Sequence, residues 1–237
     1  MDKIGNPHDV YFKSTFGQIE MAKSFIENYL PKELIEIINT DTLTQEPDSF
    51  LNEELKEQFA DLVYKVEIKE KEAYVSFIFE HKSYKDRMVI FQVLKYMISI
   101  WENKIKNDIE KAKTQNTELK SDDIKIPIVI PVIVYHDKGN WNIKRSLGKM
   151  MEGYNTLPEN IKKYIPDYEY LLADITKPKG QANLKEEHSI VLETLSKARY
   201  QTKEEIIETF KRAIRIYTRF KDKDMVEYFI LETIVYI

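Results

Sequence analysis

The stretch DLVYKVEIKEKEAYVSFIFEHK, from Asp61 to Lys82, decides the fold. Apolar and polar residues alternate from Leu62 onward, a pattern typical of a strand with one buried face. A charged Glu-Lys-Glu segment at 70–72 follows, and a strongly apolar run then extends from Ala73 to Lys82. Because only a short turn separates the two runs, the sequence predicts two antiparallel strands joined as a hairpin.

The residues after the hairpin predict a helix and a return to the sheet. Between Arg87 and Ile105, apolar side chains recur at helical spacing, which favours a helix that packs on a sheet. The run IPIVIPVIVY, from Ile126 to Tyr135, is rich in β-branched residues, as in a strand buried on both faces, with its prolines at the strand start or at an edge. Residues 168–175 resemble another short strand.

The flanking segments complete an α/β prediction. Residues 9–30 predict one amphipathic helix, and residues 32–57 predict a short helix or strand followed by a loop. From Glu186 onward two or three helices are expected, the clearest at 203–220, with Ile207 among the residues of its apolar side. We therefore expect a core domain at residues 1–180 and a helical C-terminal region at residues 181–237.

Composition limits the classes of protein to which the chain can belong. Its 237 residues suit one main core, and the absence of cysteine excludes disulfides and zinc-thiolate sites. The first residues lack the apolar segment of a signal peptide, so a cytoplasmic location is expected. The longest apolar run is far shorter than the roughly 20 residues that span a bilayer, so no membrane role is expected. A net charge of −4 argues against a chain coated in basic residues, but it leaves room for a local basic cleft.

Chemically useful residues are concentrated at the end of the second strand, at Glu80-His81-Lys82. Because side chains alternate along a strand, Glu80 and Lys82 share one face and His81 takes the other. Asp61 begins the preceding strand, and a hairpin brings the start of one strand beside the end of the next. Two carboxylates would then face one lysine. Oxygen ligands of this kind suit Mg²⁺ or Mn²⁺, and Lys82 would lie beside the attacking water.

This arrangement resembles the PD-(D/E)XK nuclease superfamily, in which an acidic residue on one strand is followed on the next by Glu or Asp, any residue, and Lys. More specifically, the chain resembles the recombination-promoting nuclease family, whose members are often labelled PD-(D/E)XK transposases. One Glu-x-Lys has little specificity, but an ordered series of matches covers residues 8–141. The matches are His8-Asp9-Val-Tyr-Phe-Lys13 with Phe16-Gly17, Ala60-Asp61-Leu-Val-Tyr64, Glu80-His81-Lys82-Ser83 with Asp86 and Met88, Leu94 with Tyr96, and Pro131-Val-Ile-Val-Tyr135-His136.

The resemblance implies a restriction-endonuclease-like core, a mixed sheet flanked by helices, that hydrolyses DNA phosphodiester bonds in recombination or in mobile elements. Asp61 and Glu80 would bind magnesium, with the backbone carbonyl of His81 as a further ligand. Lys82 would orient the attacking water or stabilise the developing negative charge. Many relatives carry Gln at the position of Lys82, so the lysine favours activity in this chain.

Two further sets of residues are candidates for contact with DNA. On the helix after the motif, Gln92, Lys95 and Tyr96 are close enough to contact a phosphate, although relatives tend to carry an arginine there. Near the C-terminus, four cations lie along or beside one helix face and are candidates for the DNA backbone: Lys211, Arg212, Arg215 and Arg219. The alternative is that Tyr96 is a core residue and that the other side chains lie on solvated helix faces. Double-strand cleavage by two chains would favour a homodimer.

Two alternatives to a nuclease stay open at this point. A catalytically degenerate relative would bind DNA or a protein without cutting, and its DNA binding would be salt-sensitive. An unrelated interaction domain would use Glu80 and Lys82 as an ordinary ion pair, and its sheet would leave Asp61 far from Glu80. The label transposase does not imply strand transfer, since nothing here resembles the widely spaced acidic triad of ribonuclease-H-like transposases.

Overall fold

The computed structural model describes residues 7–47, 61–80, 87–118, 120–136, 139–176, 184–197 and 202–219. Five strands form one sheet in sequence order: β1 (Ile38–Gln45), β2 (Asp61–Ile68), β3 (Lys71–Glu80), β4 (Ile128–Tyr135) and β5 (Leu171–Asp174). The first three strands are antiparallel neighbours, whereas β4 and β5 continue the sheet parallel to β3. The prediction of a mixed sheet is confirmed.

Helices cover both faces of this sheet. Their bounds are α1 (Pro7–Phe16), α2 (Ile19–Tyr29), α3 (Lys32–Ile35), α4 (Val89–Thr114), α5 (Glu159–Lys162), α6 (Glu186–Lys197) and α7 (Lys203–Tyr217). Single 3₁₀ turns occur at Ser121–Asp123, Gly148–Met150 and Tyr154–Thr156. Among the helices of the described ranges, none combines the length and apolar character needed to cross a membrane.

The predicted hairpin is confirmed. Lys69 and Glu70 join β2 to β3 with φ angles of 47° and 62°. Positive φ at both positions is typical of the two-residue turn whose twist matches that of antiparallel strands. The ladder then runs without a bulge from Ile68 opposite Lys71 to Asp61 opposite Ile78.

Each face of the sheet buries its own apolar cluster. On one face, Val63, Tyr74 and Ile133 pack against α4. The opposite face buries Leu62, Tyr64 and Val66 against α1, α2, α6 and α7. The two C-terminal helices contribute buried side chains to this second cluster, among them Leu195 and Ala213. Alternation along β2 therefore serves both clusters, as expected for a strand inside a three-layer arrangement.

The prediction of one helix over residues 9–30 is wrong. The chain turns at Gly17, whose amide donates to the carbonyl of Lys13 at 2.8 Å. A Cβ atom at this position would lie 2.6 Å from the same oxygen, so glycine permits the close approach. Across the core, the Tyr64 hydroxyl donates to the carbonyl of Phe16 at the end of α1. Apolar periodicity continues through the break and could not reveal it.

Other boundaries also differ from the sequence prediction. Residues 32–45 form both a short helix and a strand, and β1 pairs with β2 at the edge of the sheet. Among the described side chains of α7, Thr209, Ala213 and Ile216 are buried, whereas Ile207 is 51% exposed. Small side chains such as Ala213 allow a neighbouring helix to approach closely. The buried face of α7 is therefore not the face with the largest apolar residues.

Replacement of Tyr64 by phenylalanine is expected to lower the free energy of unfolding by about 1–3 kcal/mol, because the Phe16 carbonyl would lose its buried donor. Urea denaturation followed by circular dichroism measures this difference. Tyr164→Phe is the matched control, since Tyr164 is 76% exposed and its change should cost less than about 0.5 kcal/mol. Equal stability of Tyr64→Phe and the wild type would show that the hydrogen bond contributes nothing.

Candidate active site

The sheet register brings the two predicted acidic residues to one end of one sheet face. Asp61 lies directly opposite Ile78 in the antiparallel ladder of β2 and β3. Opposite residues share a face, and so do residues two apart on a strand, which places Glu80 on the face of Asp61. Such diagonal positions are separated by roughly 7–8 Å. The large separation expected for an unrelated interaction domain is therefore not observed.

The remaining two members of the predicted motif, His81 and Lys82, lie outside the residues that the structure describes. Asp61 and Glu80 are described by their strand positions. Among the side chains that are described, no three of His, Asp or Glu come together as a group able to hold a metal ion. The assignment of Asp61, Glu80, the His81 carbonyl and Lys82 to a magnesium centre stays a prediction.

Two residues absent from the predicted site share the row of Glu80. Tyr135 ends β4 opposite Glu80, and Asp174 ends β5 opposite Tyr135. Asp174 is buried and accepts hydrogen bonds from the backbone and hydroxyl of Thr176, at 3.1 and 2.6 Å. The carboxyl ends of parallel strands commonly carry functional residues. An acid directly after the apolar run at 171–173 was the available sequence signal.

The start of α4 lies on the same sheet face as Asp61 and Glu80. Of the three residues predicted to contact phosphate, Gln92 is half-buried, Lys95 is exposed, and Tyr96 is fully buried in the cluster beneath α4. Tyr96 is therefore a core residue, as the alternative interpretation of the sequence held. Phosphate contact by these three residues stays a prediction.

A cavity of about 560 Å³ opens between the residues just before α4 and the segment that follows β4. Its described lining comprises Arg87, Asn142, Ile143, Lys144 and Met150. Arg87 directly precedes the first turn of α4, whereas the other residues belong to the segment after β4. Sequence analysis did not identify this cavity, because its walls come from segments that meet only in the folded chain.

Aromatic contacts hold the cavity wall against the strands. The ring of Trp141 packs edge-on against Tyr135 with centroids 4.9 Å apart, and its indole N–H donates to the Tyr170 hydroxyl at 3.1 Å. The hydroxyl of Tyr168 donates to the carbonyl of Ile90 in the first turn of α4. Burial raises the pKa of Tyr168, so its hydroxyl remains a donor at neutral pH. Both walls are thus attached to the segment just before β5.

Asp167 anchors the same segment. Burial tends to raise the pKa of its carboxyl group, but hydrogen bonds from the Gly148 amide at 2.6 Å and the Ser146 hydroxyl at 3.0 Å oppose this effect. Together with contacts from Tyr154 and the backbone of Tyr168, they lower the pKa of Asp167 overall. The charged carboxylate therefore fixes the turn that carries Met150 and follows Lys144.

The four C-terminal cations lie in α7 or just after it. Three of them pair with glutamates: Lys211 with Glu208 at 2.8 Å, Arg219 with Glu186 at 3.0 Å, and Arg212 with Glu193. The fourth, Arg215, donates from Nε to the Lys211 carbonyl at 3.3 Å. The Arg212–Glu193 pair joins α7 to α6, and the Arg219–Glu186 pair joins the residues just after α7 to α6, which supports a structural role. Contact with DNA by these cations stays a prediction.

The mixed sheet with helices on both faces, and acids at the end of its central strands, defines an α/β fold of the restriction-endonuclease-like class. The sequence profile described as "Putative transposase, YhgA-like" matches residues 6–226, and the chain belongs to this family. No solved structure matches the chain.

Curated relatives agree with the resemblance to recombination-promoting nucleases. The chain is 30% identical over 130 residues to Recombination-promoting nuclease RpnD of Escherichia coli O157:H7, covering 55% of this chain and 45% of that protein. It is 31% identical over 129 residues to Recombination-promoting nuclease RpnC of Escherichia coli K12, covering 54% and 38%. It is 29% identical over 131 residues to the Inactive recombination-promoting nuclease-like protein RpnE of the same strain, covering 55% and 39%. The matches thus span less than half the length of these relatives.

Asp167→Asn is expected to lower the free energy of unfolding by about 1 kcal/mol at pH 7, after allowance for solvent screening of this exposed residue. Because the pKa of Asp167 is lower in the folded protein than in the unfolded chain, its carboxylate stabilises the fold above pH about 4. That contribution is lost as the pH falls through the folded pKa, so wild type and variant should converge in acid.

Urea denaturation at a series of pH values measures both effects. Glu169→Gln is the control in the same segment, since the exposed Lys149–Glu169 pair at 3.1 Å should contribute little at any pH. A stability difference for Asp167→Asn that persists unchanged at low pH would contradict the role assigned to the charge.

Proposed function

We propose that the chain is a metal-dependent DNA endonuclease that hydrolyses phosphodiester bonds and acts in recombination or in mobile elements. One observation supports the proposal: in the antiparallel register of β2 and β3, Asp61 pairs with Ile78, two positions before Glu80. Membership of the YhgA-like family and the names of the relatives RpnC and RpnD support the same reaction class.

The donor set of this site fits a hard divalent cation. Aspartate and glutamate oxygens are the ligands that Mg²⁺ prefers, and Mn²⁺ accepts the same set. Asp61, Glu80 and the backbone carbonyl of His81 would hold the ion, leaving coordination positions for water and substrate. When bound, the ion supplies Lewis acidity toward the phosphate and lowers the pKa of coordinated water.

The chain's own residues supply positioning and charge. Asp61 and Glu80 sit on adjacent hydrogen-bonded strands, so their separation is fixed by the sheet and not by a loop. Lys82, two residues beyond Glu80, would orient the attacking water or stabilise negative charge that develops on the phosphate. The helix α4 packs over the same sheet face.

A second candidate function is DNA or protein binding without cleavage. The relative RpnE, named inactive, matches the same portion of this chain as the relatives that are named nucleases. A degenerate protein would retain salt-dependent DNA affinity because phosphate contacts do not require the metal centre.

Cleavage of supercoiled plasmid by purified wild type, Asp61→Asn and Lys82→Ala tests the nuclease. We expect the wild type to nick or linearise the plasmid with Mg²⁺ or Mn²⁺ and to leave it intact with chelator. In each variant the cleavage rate should fall by at least about 100-fold. Glu67→Gln and Lys71→Ala are matched controls, because they remove the same kinds of charge from exposed positions at the other end of the same two strands.

Equal cleavage by wild type, Asp61→Asn and Lys82→Ala would assign the activity to another site or to a contaminant. No cleavage in any reaction, with salt-sensitive binding of the same DNA, would select the non-catalytic alternative.

A further inference from the structure

The cavity between the start of α4 and the segment after β4 is lined by two cations, Arg87 and Lys144. Among the residues that the structure describes, neither forms an ion pair with a carboxylate. The Lys144 ammonium donates to the Lys149 carbonyl at 2.6 Å. Since an ammonium group has three N–H donors, two of them stay available to a ligand. Arg87 is exposed and lines the cavity.

The other lining residues fit a nucleotide unit. Asn142 offers an amide that can donate to a phosphate oxygen, and Ile143 and Met150 supply an apolar wall. The volume of about 560 Å³ lies in the range of small-ligand sites. The first turn of α4, which follows Arg87, contains no acidic residue that would repel an anion.

The position of the cavity links it to the acidic row. Asn142 follows Trp141, which packs on Tyr135, and Tyr135 is the register partner of Glu80. The opposite wall begins at Arg87, in the connection that leads from Glu80 to α4. Both walls therefore originate at the strand ends that carry the proposed catalytic residues.

Because the chain is negatively charged overall, DNA binding needs positive charge close to the acidic residues. The net charge of −4 repels a polyanion, and Asp61 and Glu80 add negative charge at the same sheet end. Three of the four cations on and after α7 are already paired with glutamates. Arg87 and Lys144 form no ion pair among the described residues, so they can neutralise a phosphate without the loss of such a pair.

We propose that this cavity binds the DNA backbone next to the scissile phosphate, with Arg87 and Lys144 contacting phosphate oxygens. The inference rests on the proposed nuclease function for its position, but the binding that it describes does not require cleavage. Asn142 would donate a further hydrogen bond, and Ile143 would contact the deoxyribose.

Fluorescence anisotropy with a short labelled DNA duplex in chelator measures the binding. In the Lys82→Ala background, Arg87→Gln and Lys144→Gln should each weaken affinity about 10-fold, and each should reduce the slope of log K against log salt by about 1. Arg145→Gln is the control, because Arg145 is an exposed cation that follows Lys144 in sequence and does not line the cavity. Arg87→Lys and Lys144→Arg should retain most of the affinity, and all variants should melt at the temperature of the background protein.

The outcomes separate this inference from the nuclease proposal. Loss of affinity only in the cavity variants supports the inference even when the wild type fails to cleave plasmid. Cleavage by the wild type, with unchanged affinity and salt slope in Arg87→Gln and Lys144→Gln, overturns the inference alone. An equal loss in Arg145→Gln also overturns it, because general charge would then explain the binding.

Discussion

The pairing of β2 with β3 is the constraint on which the rest of the structure depends. The turn at Lys69–Glu70 sets its register, and the ladder carries that register unbroken to Asp61. A slip of one residue would move Asp61 to the face opposite Glu80 and would withdraw Val63 from the cluster beneath α4. The burial of apolar side chains and the placement of the acids are therefore enforced by the same hydrogen bonds.

Tyrosine hydroxyls extend this order to segments outside the ladder. Tyr64 donates to Phe16, 48 positions away in sequence, and Tyr168 donates to Ile90, 78 positions away. The Tyr64 hydroxyl satisfies a carbonyl at the C-terminal end of α1, whereas the Tyr168 hydroxyl contacts a carbonyl in the first turn of α4. Burial raises the pKa of Tyr64 as well as that of Tyr168, so both remain donors at neutral pH. These two tyrosines therefore have a structural role.

Sequence reasoning succeeded where the signal is local. The hairpin, α4 and β4 follow from alternation, helical spacing and a β-branched run, and each was predicted with its correct neighbours. The break at Gly17 was missed because apolar spacing continues across it, although a glycine after Phe16 is a recognised helix-stop signal. The pairing of β1 was missed because an exposed edge strand has little apolar pattern.

The residues of the candidate site also differ in whether a local sequence pattern could predict their position. Asp61 and Glu80 could be placed together because hairpin geometry is local, whereas Asp174 and Tyr135 join their row through strand order, which no local pattern encodes. Arg87 and Lys144 come from the segments after two different strands, so their convergence required the β3–α4–β4 crossover to be known. His81 and Lys82 lie outside the described residues, and their roles rest on the motif alone.

The positions of acidic and basic residues determine where a phosphate could bind. Two acids at one sheet end repel each other and repel phosphate, so they are useful only beside compensating positive charge. Arg212 and Arg219 already form ion pairs with glutamates of α6, so they could supply this positive charge only by losing those ion pairs. A metal ion would neutralise the acids themselves, and Arg87 with Lys144 would neutralise the neighbouring phosphates. A chain of net negative charge can in this way hold a polyanion at one place without attraction over its whole surface.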